Sequence, residues 1–207
     1  MRIGVIGAGK IGSTVARRLV DAGHEVAIAN SRGRDAAADT ADEVGARPAD
    51  VEEAAEFGDL VVEAVPLKEY ATLPVGALKG KVVVDAANYY PGRDGQIDEI
   101  DNGGAASAEL VQKHLPDSRV VKAFNTIQWT NLRDRGKPQG DPERMAIPVA
   151  ADDPDAKRLV SGLIDQIGFD PVDGGTLHES RRQEPNTPVY GAVLDASAAR
   201  DALASAP

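Results

Sequence analysis

The chain opens Met1-Arg2-Ile3-Gly4-Val5-Ile6-Gly7-Ala8-Gly9-Lys10-Ile11-Gly12, and no other stretch restricts its fold as tightly. A short apolar run over residues 3–6 enters three glycines spaced Gly-x-Gly-x-x-Gly. A helical pattern follows over residues 10–22, with Ile11, Val15 and Leu19 on one face. Gly23 stands where such a helix closes in the left-handed conformation, and a second apolar run begins at residue 26. In this strand–turn–helix–strand setting the glycines have separate duties. Gly7 permits the tight turn, Gly9 lets backbone approach a pyrophosphate, and Gly12 lets the helix pack closely on the strand. The amides around Lys10 and Ile11 point outward from the positive end of the helix dipole, a place suited to phosphate. Gly7, Ala8, Gly9, Lys10, Ile11 and Gly12 therefore read together as a dinucleotide-binding turn.

The end of the second strand bears on which dinucleotide. An acidic residue there would bind a ribose 2′-hydroxyl, whereas this chain carries Asn30-Ser31-Arg32-Gly33-Arg34. A hydroxyl and a guanidinium suit a 2′-phosphate, so Ser31 and Arg32 favour NADP(H). Arg34 is read equally as a phosphate contact or as a solvated residue at a helix start.

Apolar runs over residues 60–65 and 82–85 are continuous rather than alternating, as in parallel strands covered on both faces. Helical patterns at 35–44, 105–115 and 154–167 and further strands at 119–123, 145–150 and 169–172 continue the alternation. Residues 88–104 read as a long loop, 174–188 as an irregular charged segment, and 189–204 as a closing helix. The expected fold is α/β, a Rossmann-type doubly wound parallel sheet with a small C-terminal extension. Residues 1–145 form the expected NADP-binding Rossmann domain. Residues 146–207 form a small lobe packed on it, or continue the same domain. Val65-Pro66 and Ala87-Asn88 fall at carboxyl ends of strands, where open α/β sheets bind ligands, and are expected beside the nicotinamide half.

Composition removes several alternatives. The chain has no cysteine, which excludes disulfides, thiolate ligands and a cysteine nucleophile. Its formal charge of -10 opposes nucleic-acid binding. The three histidines, His24, His114 and His178, lie far apart, so no metal site is expected. No apolar stretch resembles a signal peptide or reaches the ~20 residues a bilayer span needs, so a cytoplasmic protein without a membrane partner is expected. His24 reads as structural, and His114 as lying on a polar helix face. Ser107 is read as a helix cap or, secondarily, a cleft residue, and Trp129 as packing or, secondarily, a ligand contact. Glu63, a carboxylate inside an apolar run, requires a partner or a place at the sheet's end.

The chain resembles the F420-dependent NADP reductases and their relatives, the flavin-using reductase domains of the STEAP metalloreductases. The residues that carry the resemblance are Gly7 to Gly12, Asn30-Ser31-Arg32, Ala64-Val65-Pro66, Asp85-Ala86-Ala87-Asn88 and Val121-Lys122-Ala123-Phe124-Asn125-Thr126. The last of these is closest to the flavin-using side. The resemblance implies direct hydride transfer between NADPH and F420, or alternatively FMN or FAD, with no catalytic acid or base, and a homodimer. It places acceptor contacts at Asn125, Arg181 and Thr187. The family's histidine is replaced by Asn125, and its serine falls on Pro185. Two other readings stay open. One is reduction of a small imine or carbonyl compound, with Tyr89, Tyr90 or His178 as proton donor. The other is a non-catalytic NADPH-binding sensor.

Overall fold

The computed structural model describes residues 1–206. Its first element, β1 (Arg2–Ile6), leads through the glycine turn into α1 (Lys10–Asp21), and β2 (Glu25–Ala29) follows. Next come α2 (Arg34–Val44), β3 (Arg47–Ala49), α3 (Val51–Phe57) and β4 (Leu60–Glu63). A 3-10 turn (Leu67–Thr72), α4 (Val75–Leu78) and β5 (Val82–Asp85) lead to two single-turn helices, α5 (Pro91–Asp94) and α6 (Asp98–Asp101). Then α7 (Ser107–His114), β6 (Arg119–Lys122) and α8 (Trp129–Asp134) complete the larger sheet layer. The remaining elements are β7 (Ala146–Val149), α9 (Pro154–Gln166), β8 (Asp170–Asp173), a 3-10 turn (His178–Gln183) and α10 (Ala196–Ser205).

Six parallel strands form one sheet in the order β3-β2-β1-β4-β5-β6. The chain moves outward from β1 in one direction and then in the other, which places the topological switch between β1 and β4. Period-two alternation divides the strands between two cores. Ile3, Val5, Val26, Ile28, Leu60, Val62, Val82 and Val84 face one, while Ala27, Ala29, Val61, Val83 and Val120 face the other. Helix α1 buries Val15 and Leu19 against the first core, each burial contributing roughly 1.5–3 kcal/mol.

The last third of the chain forms a two-stranded parallel sheet, β7-β8. An antiparallel bridge joins it to the larger one: Lys122 N–H donates to Ala150 O at 2.8 Å, and Ala150 N–H to Lys122 O at 3.0 Å. Ile147, Val160 and Phe169 belong to the same hydrophobic cluster as Ile3 and Val5. Helix α10 packs Ala199 and Leu203 against Val172 and Val189. No helix among the described residues is long and apolar enough to cross a membrane.

Several sequence expectations need correction. The closing helix starts at Ala196, not residue 189, because Asp195 caps it by accepting from Ala198 N–H at 2.8 Å. The expected loop 88–104 contains α5 and α6, and the irregular segment 174–188 contains a 3-10 turn. The strand expected over 60–65 stops at Glu63, leaving Ala64, Val65 and Pro66 as cleft wall. The polar, alanine-rich β3 and α3 carry too weak a hydrophobic pattern to be read, although Asp50 and Glu53 form a capping box.

Candidate functional site

The carboxyl ends of β1, β4, β5 and β6 open onto a cleft of about 560 Å³. Its walls come from Gly9–Ile11, Ala64–Pro66, Ala86–Asn88, Phe124, Asn125 and residues 127–129, with Tyr90, Arg93 and Tyr190 completing the lining. That volume lies within the range of small-ligand sites, and the location is the crevice the switch point creates.

The glycine turn is built by two kinds of constraint. Gly7 has a φ of +115°, and a Cβ on Gly12 would stand 1.8 Å from Gly7 O, so intramolecular geometry dictates both. Gly9 is different. Its backbone is extended, and a Cβ there would meet no protein atom within 4 Å. It is also the N-cap of α1 and offers no side chain to the helix's first amides. An uncapped helix start beside empty space is a cradle for an anion.

Ser31 and Arg32 are exposed beyond the end of β2, outside the main cleft. Asn30 Oδ1 accepts from Arg32 N–H at 3.1 Å, shaping the turn, and the Arg32 guanidinium has no ion-pair partner among the described residues. Arg34 instead pairs with Glu53. The Arg34 guanidinium's hydrogen bond holds the Glu53 carboxyl below its usual range.

Under the cleft floor lies a buried ionic cluster whose members come from successive strand ends. The Lys122 ammonium donates to Asp85 Oδ2 at 3.0 Å, Ala87 O at 2.6 Å and Ser107 Oγ at 3.1 Å. The other Asp85 oxygen accepts from Ala87 N–H at 2.8 Å, so one ion pair grips both backbone groups of a cleft residue. Ser107 thus neither caps α7 nor faces the cleft. Glu63 sits at the end of β4 and is fully buried, which bears out the sheet-end expectation. Burial foremost, and then the Asp85 carboxylate, push the Glu63 carboxyl well above the usual range, and Lys122 offsets part of this. With one cation facing two carboxyls, the neutral acid is the form burial favours.

Phe124 lines the cleft with φ +65°, an unusual conformation for a bulky side chain and costly by about 1–3 kcal/mol. The next residue supplies the compensation. Asn125 Nδ2 donates to Asn88 Oδ1 at 3.1 Å and to Gln183 O at 2.7 Å, and its Oδ1 accepts from Gln183 Nε2 at 2.9 Å. Asn125 does line the cleft, but its amide is committed to holding the segments that surround it.

Three expected acceptor-side residues lie outside the cleft lining. The 3-10 turn buries Ser180 and Gln183, three residues apart on one face, which turns Arg181 outward into solvent. Thr187 Oγ1 donates to Glu184 O at 2.8 Å. His178 Nδ1 lies 3.0 Å from Glu109 Oε2 on α7, away from the cleft. Trp129, by contrast, lines the cleft, with the Lys10 ammonium 5.2 Å from its ring centre. Among the remaining residues, His24 Nε2 meets Gln166 Oε1 at 3.0 Å. His114 is half-buried, bonding Leu73 O at 3.0 Å, rather than lying on an open polar face. Tyr90, Arg93 and Tyr190 were not nominated together from sequence. No local signal links residues 100 positions apart.

The fold, the glycine turn and the switch-point cleft define a protein of the Rossmann class. Residues 2–89 match the model of a family described as NADP oxidoreductase coenzyme F420-dependent. The F420-dependent NADP reductase of Methanocaldococcus jannaschii is 32% identical over 154 residues, 66% of this chain and 62% of that protein. Metalloreductase STEAP3 of Rattus norvegicus is 29% identical over 185 residues, 88% of this chain and 36% of that protein. The chain therefore spans less than two thirds of the length of either relative. Among solved structures, the hypothetical protein SMa0349 from Sinorhizobium meliloti matches with a TM-score of 0.81 at 33% identity, covering 94% of this chain and 95% of that one. Over residues 2–89 the chain is therefore similar to the F420-dependent NADP oxidoreductase family, and over most of its length to the two reductases.

Proposed function

We propose that this chain is an NADP(H)-dependent oxidoreductase that transfers hydride between NADPH and coenzyme F420. The observation that carries the reading is Gly9. Its missing side chain relieves no clash within the protein, yet it lies at the uncapped start of α1 on the cleft wall. A pyrophosphate fits that cradle. Ser31 and the unpaired Arg32 would hold the 2′-phosphate, and Val65, Pro66, Ala87 and Asn88 would flank the nicotinamide end. The bound nicotinamide supplies the hydride. The protein's part is to orient the two rings and exclude water, which requires no acid–base residue. Lys122 and Asp85 serve this by fixing the Ala87 backbone.

Both the family and the relative from M. jannaschii support F420 as the acceptor. A second reading, NADPH:flavin reduction, draws support from two observations: Arg181 and Thr187 stand outside the cleft, and a metalloreductase resembles most of the chain. The test is a panel of F420, FMN, FAD and a cyclic imine, with NADPH and then NADH, followed at the nicotinamide absorbance. Oxidation of NADPH by F420 is the expected result. Oxidation by FMN or FAD alone would replace F420 with flavin, and turnover of the imine alone would overturn the ring-acceptor reading. Homodimer formation is part of the proposal, and sedimentation at twice the monomer mass is expected.

A further inference from the structure

Part of the cleft lining consists of residues that neither the glycine turn nor the family resemblance nominates. Tyr90 follows β5 and Tyr190 follows the last 3-10 turn, yet their hydroxyls hydrogen-bond to each other at the cleft wall. Each is anchored independently. Tyr90 N–H donates to Asp94 Oδ2 at 2.9 Å, and the Arg93 guanidinium lies 4.9 Å from the Tyr90 ring centre. Gly191 N–H donates to Thr126 O at 2.8 Å, tying the chain beside Tyr190 to the segment that follows β6. The Tyr90 ring is not absorbed into a core: the residue is 37% exposed, high for a large aromatic. Burial first, and then the Tyr90 hydroxyl, raise the Tyr190 pKa, so Tyr190 keeps its proton. Two hydroxyls that bond each other use one of their two hydrogens and leave one to donate elsewhere. Trp129 forms a third aromatic side. Beside it, the Lys10 ammonium has no carboxylate partner among the described residues.

We propose that Tyr90, Tyr190 and Trp129 form the subsite for the second ligand, a planar conjugated heterocycle with ring carbonyls and an anionic tail. Deazaflavins and flavins share that chemistry. The aromatic faces stack on the ring, the free phenol hydrogen donates to a carbonyl, and Lys10 meets the anionic tail. Arg181 and Thr187 have no part in it. The proposal rests on the reading of the cleft as an NADP(H) site and assigns the other half of that site.

The test measures quenching of FMN and F420 fluorescence by the full chain, with and without NADP+, alongside Kd for NADPH. The variants are Tyr90→Phe/Tyr190→Phe, Tyr190→Ala, Trp129→Ala and, for comparison, Arg181→Ala. Tyr190→Ala and Trp129→Ala are expected to raise Kd for the ring ligand at least tenfold, about the scale of one lost stacking partner. The double phenylalanine variant, which keeps both rings, is expected to raise it severalfold, and Arg181→Ala to leave it unchanged. Which of the two ligands binds identifies the ring. Ring binding that Arg181→Ala abolishes and the aromatic variants leave intact overturns the proposal. So does a wild-type chain that binds NADPH but neither ring ligand. Aromatic-dependent ring binding without any NADPH binding leaves the subsite standing and overturns the cofactor reading instead.

Discussion

Replacing Lys122 with methionine removes the only cation from a cluster that holds two buried carboxyls. The side chains of both Lys122 and Asp85 have no solvent exposure, and the Lys122 ammonium meets three acceptors. Methionine preserves most of the volume, so the loss is electrostatic. Asp85 becomes a buried anion without a counter-ion, and Ala87 O and Ser107 Oγ lose their donor. Breaking one side of a buried pair costs about 3–5 kcal/mol. In a chain of 207 residues, each kcal/mol lowers Tm by about 2–4 °C, so Lys122→Met should lower it by roughly 6–20 °C. Calorimetry at neutral pH gives the number. The double variant Asp85→Asn/Lys122→Met leaves no unpaired charge and should recover more than half of the loss. Because Lys122 also fixes the Ala87 carbonyl on the cleft floor, the single variant should bind NADPH more weakly even well below its own Tm. A Tm drop under about 2 °C with unchanged NADPH affinity would refute the reasoning. So would a double variant less stable than the single one.

Three shorter predictions concern other residues. Arg32→Ala should raise Kd for NADPH about tenfold or more while leaving NADH nearly unaffected, and equal effects would remove the 2′-phosphate assignment. Gly9→Val should leave Tm within a few degrees, since its Cβ meets nothing, but abolish measurable NADPH binding; Gly12→Ala, whose Cβ would strike Gly7 O, should be strongly destabilised. Glu63→Gln should have a pH-dependent effect. A carboxyl raised in the folded state keeps a proton that the unfolded chain releases above about pH 4.5, so wild-type stability is lost as pH rises from there towards the folded pKa. The variant lacks that loss, so its advantage in urea unfolding should be absent at acidic pH and grow towards neutrality. A difference independent of pH would contradict the neutral-acid assignment.

What the sequence disclosed was whatever local geometry enforces. The glycine turn is legible because φ at Gly7 and the contact of Gly12 with Gly7 O are settled within a dozen residues. The parallel sheet is legible because doubly covered strands read as continuous apolar runs. The acceptor side of the cleft was legible only in part. Tyr90 meets Tyr190 and Lys122 meets Asp85 through tertiary packing alone, and no spacing rule connects such pairs. Arg181 was placed in the cleft by resemblance, but the 3-10 turn carries Ser180 and Gln183 inward and therefore Arg181 outward. The closing helix starts seven residues later than the sequence pattern suggests, at Ala196 rather than residue 189, because Val189 and Tyr190 favour extended backbone and the Asp195 cap is the stronger physical signal.

Direct hydride transfer from NADPH to a ring acceptor is tested most directly with NADPH carrying deuterium at each face of nicotinamide C4 in turn. After a single turnover with F420, mass spectrometry is expected to find deuterium retained on the acceptor's ring carbon from one face only. With the label undelivered from either face while NADPH binds saturably, the chain would be a dinucleotide sensor, and the account of it as a hydride-transferring enzyme would be wrong.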